Sequence, residues 1–135
     1  MTKKTEAPAT LSLGQQLAAK SAQRLAERRP IRIPGLPEFD GQFFACRRPS
    51  SERSDLEDSL TAGDDELGQR YSRTSRFRAE LLRRYIVGPN DVRPFAEMDV
   101  DEILAFDGAT LEPLVDAALA MSGLSKTDQD QLEKK

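Results

Sequence analysis

Between residues 30 and 49 a helix-breaking signal recurs every few residues: Pro30, Pro34-Gly35, Asp40-Gly41 and Pro49. Proline removes a backbone donor and clashes with the preceding turn, and Pro-Gly or Asp-Gly pairs mark turns, so this stretch cannot be helical. Ile31 and Ile33 alternate with Arg32 in a short extended run, and Gln42-Phe43-Phe44-Ala45-Cys46-Arg47 forms an aromatic-rich second one. Together they predict an antiparallel pair of strands joined by a loop near 34–41. Two strands alone are marginal in water, so one face must pack on helices.

The rest of the chain supplies those helices, in short pieces with clear punctuation. Ser54 and Glu57 have capping-box spacing, Leu56 and Leu60 lie one turn apart, and Gly63 is placed to end that helix. Asp64-Asp65-Glu66 puts negative charge where a helix N-terminus favours it, which predicts a helix over about 65–87, stopped by Gly88-Pro89. Asp99 with Glu102 caps a further helix around Val100, Ile103, Leu104 and Phe106, ended by Gly108. Thr110 caps the next, where Leu111, Leu114, Val115, Ala118 and Leu119 fall on one face and Gly123 closes it. Ser125 and Asp128 repeat the capping spacing before a polar end. Upstream, residues 1–10 read as a disordered tail, and Ser12 with Gln15 opens a weak helix over 11–29 with a thin stripe of Leu17, Ala18, Ala22 and Leu25. The expected fold is α+β and mostly helical: a two-stranded antiparallel unit on about four short helices. A flexible or weakly helical arm (1–29), one domain (30–125) and a frayed tail (126–135) make up the chain.

Charge is sorted along the sequence. Residues 1–48 carry a net +5 and residues 49–135 a net −8. From Arg70 to Arg84 six arginines accompany the single acid Glu80, and from Glu97 to Asp116 there are seven acids and no base. At ~100° per residue the 65–87 helix puts Leu67, Tyr71, Leu81, Leu82, Tyr85 and Ile86 on one side, with Phe77 at its margin. Arg70, Arg73, Arg76, Arg83 and Arg84 share the other side. That face reads either as a solvated surface neutralised by neighbouring acids or as a docking surface for an acidic or helical partner. Arg78 falls inside the apolar arc; an unpaired guanidinium there is costly, so it must snorkel or form a structural ion pair, with the 97–116 acids as the source.

The chain has no histidine, which removes imidazole bases and ligands, and its one cysteine, Cys46, can form neither an internal disulfide nor a thiolate metal cage. No glycine-rich phosphate loop follows a strand, and Asp99-Val100-Asp101-Glu102 lacks the spacing of a calcium loop. No catalytic residue, metal site or cofactor is assigned, and no apolar run reaches the ~20 residues of a membrane helix. Candidate partner-binding residues are Phe39, Phe43 and Phe44 in the strand region together with Arg70, Arg73, Arg76, Arg83 and Arg84. Phe43 and Phe44 point to opposite sides of a strand: either one is core and the other available, or both are buried. Nucleic acid ranks last among partners, because the overall charge is negative and no aromatics interleave with the arginines for base stacking.

The order of elements, from IRIPGL through FDGQFFACRRPSSER and LLRRYIVGPNDVRPFAEMD to DVDEILAFDGATLEPLVDAALAMSGLS, resembles the small tail assembly chaperones of long-tailed bacteriophages and prophages. Arg47, Arg48, Ser51, Glu52, Arg53, Leu81, Leu82, Asp91, Phe95, Asp99, Leu104, Leu111, Leu114 and Ser122-Gly123-Leu124 occupy places comparable to that family's pattern, over roughly residues 30–125. The resemblance implies a non-enzymatic factor of the host cytoplasm that coats the helical tape-measure protein, helps to recruit tail-tube protein, and leaves before the virion is complete. A longer, frameshifted form is common in that family. Self-association is open. A structural tail adaptor or completion protein, or a small nucleic-acid-binding regulator using the Arg70–Arg84 helix, are the other readings.

Overall fold

A computed structural model describes residues 11–62 and 70–133. The tail expected over 1–10, the Gly63 stop, the acidic start at 64–66, Leu67 and the Lys134-Lys135 end lie outside the described residues. Helices α1 (Leu13–Leu25), α2 (Ser51–Ala62), α3 (Arg73–Tyr85), α4 (Val100–Leu104), α5 (Gly108–Ser122) and α6 (Lys126–Glu133) accompany three short strands, β1 (Arg28–Pro30), β2 (Phe44–Cys46) and β3 (Ile86–Val87). The fold is α+β and mostly helical.

The sheet is antiparallel in the order β1-β2-β3, with one strand more than the hairpin-like pair expected from sequence. Arg28 lies opposite Cys46, Pro30 opposite Phe44, and Val87 opposite Phe44 on the other side. The first strand lies upstream of its predicted position. Pro30 can end an edge strand, where its missing N–H is not needed. Ile31 extends the pairing by one bond, its N–H donating to Phe43 C=O at 2.9 Å. Ile31 and Ile33 are buried as their alternation implies, beyond the strand rather than within it. β3 lies where the sequence reads the end of a helix, because an apolar Ile-Val pair continues the α3 pattern equally well.

Helix α3 is the hub, packing against α2, α4, α5 and α6, while α5 also covers β2. Phe77, Leu81 and Leu82 of α3 meet Leu56 and Leu60 of α2, Ile103 of α4, and Leu114 and Val115 of α5 in one core. α3 begins later than the predicted 65, because Ser72 caps it, its hydroxyl accepting from Ser75 N–H at 3.1 Å. Asp107 rather than Thr110 caps α5: its carboxylate accepts from the Thr110 N–H at 3.1 Å and from the Thr110 hydroxyl at 2.8 Å. Gly123, at φ +75°, closes α5 in the left-handed conformation that favours glycine.

Through Glu133 the polar end is helical rather than frayed. Ser125 and Asp128 form a reciprocal cap, α6 follows, and Leu132 is 2% exposed against the core. The buried leucine, an Arg53–Asp128 ion pair of 3.0 Å to α2 and an Arg73 bond of 2.8 Å to Leu132 C=O seat this short helix. The domain therefore runs from β1 at residue 28 through residue 133, wider than the sequence boundaries of 30 and 125.

Candidate partner-binding surface

The arginine face is mostly internal. Arg76 and Arg84 are only 4% and 7% exposed, and Glu80 between them is buried too. The helical wheel is correct in grouping them, but α2 lies over that side of α3, so the polar face becomes a buried layer between two helices. Arg84 is its centre. It donates to Glu80 at 2.5 Å, to both a carboxylate oxygen of Asp55 (2.7 Å) and the Ser59 hydroxyl (2.6 Å). Burial works to lower the Arg84 pKa, but the hydrogen bonds to Glu80 and Asp55 outweigh it and the net shift is upward, so the guanidinium stays charged.

The other arginines follow a common rule: several donate to a carbonyl in the last turn of a helix, where the carbonyls lack intrahelical partners. Arg76 reaches Leu60 C=O of α2 at 2.8 Å, and Arg73 reaches Leu132 C=O of α6 at 2.8 Å. Arg48 reaches Arg84 C=O of α3 at 2.8 Å, and Arg28 reaches Leu25 C=O of α1 at 3.0 Å. A cation there also meets the negative end of the helix dipole. Arg83 donates to Ala96 C=O at 3.2 Å and lies 3.4 Å from Glu80. Arg78 is half-buried and donates to Glu112, an acid of the 97–116 segment. Arg70 is exposed and pairs with Asp101 at 3.3 Å, beside Tyr71, whose hydroxyl donates to the same carboxylate at 2.7 Å. That bond raises the Tyr71 pKa. Arg76 and Arg84 are thus withdrawn from the candidate contact set, and Arg70, Arg73 and Arg83 are held in internal bonds.

The phenylalanines behave differently. Phe43 is half-buried, with its ring 5.8 Å from Phe95 in a stacked arrangement and 5.8 Å from Phe39 in a tilted one. Phe95 in turn meets Phe106 edge-on at 6.0 Å. The aromatic row runs from the core to the surface, where Phe39 is exposed. Phe44 is also half-buried, so neither of the two alternatives for the Phe43-Phe44 pair holds: each ring is partly covered. Beside the row an open groove of about 400 Å³ is lined by Phe39, Phe43, Val92 and Pro94, together with Gly88, Pro89, Glu38 and Gln42. Val92 is 61% exposed there. Val92 and Pro94 are not among the contact residues read from sequence, since an apolar pair among turn residues carries no period, and Phe95 enters there only through the family resemblance.

Its wall is built by a tight loop. Asn90 and Asp91 both take positive φ (64° and 60°), a conformation that Asn and Asp tolerate better than most residues. Gly88 N–H closes the loop on Val92 C=O at 2.6 Å. This geometry aims Asp91 at Arg28, 2.7 Å away, and the hydrogen bond lowers the Asp91 pKa while raising that of Arg28. Arg28 also donates to Leu25 and Glu27 carbonyls, so one side chain pins the end of α1 to the groove wall.

Helix α1 itself has the predicted Ser12/Gln15 capping box, but it buries no residue. Leu13 and Leu17 are 83% and 72% exposed.

Among the described residues no group of three metal-ligating side chains comes together, and no helix is long and apolar enough to cross a membrane. Cys46 is fully buried and its thiol is pushed up in pKa by that burial, which opposes thiolate formation. No family model, curated protein or solved structure matches the chain.

Proposed function

We propose that this chain is a non-enzymatic tail assembly chaperone, acting in the host cytoplasm, that holds helical segments of a tape-measure protein and helps to recruit tail-tube subunits. The observation that carries the reading is the open groove of Phe39, Phe43, Val92 and Pro94, which suits the apolar face of an amphipathic helix. The sequence resemblance over residues 30–125 supplies the partner's identity. The projecting α1, with Leu13 and Leu17 in solvent, adds a second apolar surface of the sort a holding factor uses. Nucleic-acid binding has less support than the sequence alone offers it, because Arg76 and Arg84, two of the basic side chains it needs, lie beneath α2. Co-expression tests the reading. A tape-measure fragment that stays soluble only with this chain, and less so with Phe39→Gln plus Val92→Gln, supports it. A fragment equally soluble without the chain contradicts it, and stoichiometric recovery in purified virions favours a structural tail component.

A further inference from the structure

We propose that α1 of one copy lies in the Phe39/Phe43/Val92/Pro94 groove of a second copy, and the second copy's α1 in the groove of the first, a reciprocal exchange that makes the chain a two-fold dimer. This does not depend on what other helix uses the groove. Arm and groove carry matching patterns. Leu13, Leu17, Lys20 and Arg24 follow at i, i+4, i+7 and i+11, so they share one stripe of α1: two leucines, then two cations. α1 contains no acid. The groove offers the complement, a mostly apolar trough with Glu38 in its lining and Asp40 two residues further along the chain. Lys20, Arg24 and Glu38 form no ion pair among the described residues, and Asp40 only approaches the exposed Arg32 at 3.9 Å.

The attachment of α1 decides between its own groove and that of another copy. Only Ala26 and Glu27 separate α1 from β1, and Arg28 ties Leu25 C=O to Asp91 on the groove wall. Folding α1 back onto its own groove would break that clamp, whereas insertion into a second copy keeps it. α1 is ~20 Å long at 1.5 Å per residue, long enough to carry both leucines away from its own domain. A copy with one arm and one groove closes in pairs under two-fold symmetry, so the contact is made twice and does not propagate.

Sedimentation equilibrium tests this. Wild type is expected to rise with concentration to twice the 15.0 kDa of one chain. Leu13→Gln with Leu17→Gln should raise the dimer dissociation constant by about tenfold or more, from lost apolar burial, with unchanged circular dichroism because both side chains are exposed. Phe39→Gln with Val92→Gln should do the same, and mixing the arm variant with the groove variant should restore a weaker heterodimer, which retains one intact contact. Lys20→Glu with Arg24→Glu should weaken the dimer, and adding Glu38→Lys with Asp40→Lys should recover it. Should the groove variant misfold, the arm and charge-reversal series decide alone. A wild type monomeric at all concentrations, or a dimer indifferent to the leucine substitutions, overturns the proposal.

Discussion

Helices α1 and α3 have the same length, 13 residues, and opposite fates: α3 buries eight of its residues and α1 buries none. By composition the order would be reversed, since α3 has five arginines and a glutamate while α1 has only two charged residues. The difference lies in where the polar groups find partners. Arg84 meets carboxylates and a hydroxyl supplied by α2 or by α3 itself, and Arg76 meets the Leu60 carbonyl of α2, so each buried guanidinium keeps hydrogen-bonded partners. Leu13 and Leu17 lie on a helix that buries none of its residues among the described ones, and so they remain exposed.

The comparison breaks most severely at Arg84. Arg84→Ala leaves buried Glu80 with only the longer Arg83 contact and should cost about 3 kcal/mol of unfolding free energy, read from urea denaturation. Leu132→Ala should cost about 2–3 kcal/mol in the same assay, because α6 is seated by a buried leucine. A neutral result there would restore the frayed tail. Ser72→Ala removes the α3 cap and should cost about 1 kcal/mol, with the start of the helix exchanging its amides faster. Leu17→Gln should change monomer stability by no more than about 0.5 kcal/mol, since the side chain is exposed.

A pH series sharpens the same contrast at exposed sites. Glu27, held by Arg47 and then Arg29, and Asp91, held by Arg28, both have carboxyl pKa values below the usual range. So does Asp107, held first by the Thr110 hydroxyl, and Asp128, held first by Ser125 N–H. Lowered folded-state values mean that their contribution is fully present above the unfolded carboxylate range and lost as pH falls through the folded values. Stability should therefore be flat above about pH 5 and decline below it. Asp91→Asn should flatten part of that decline.

Much of this was legible in the residues. Ser12/Gln15, Asp99/Glu102 and Ser125/Asp128 are local signals, closed over three residues, and all three form reciprocal caps. The mostly helical α+β class followed from the breakers between 30 and 49. What could not be read depends on contacts between distant segments. β3 exists because β2 offers Ala45 and Phe44 as pairing partners, a fact absent from the Ile86-Val87 pair itself. The covering of Arg76 and Arg84 depends on α2, whose two buried leucines give little sign of how its other side will be used. The groove joins residues 38–43 to 88–94, and the joining loop turns on two positive-φ residues that no apolar period announces. The exposure of α1 was hidden in the same way: the stripe read from sequence was Leu17, Ala18, Ala22 and Leu25, and none of it is buried.

Hydrogen exchange read by mass spectrometry on the dilute wild-type chain, with and without a tape-measure helix, tests the central claim most directly. The account predicts that α3 amides are protected to the level of global unfolding while α1 amides exchange fast, and that α1 and residues 38–43 and 88–94 gain protection when the helix is added. Equal protection of α1 and α3 in the dilute free chain, or no change at the groove on addition, would contradict it.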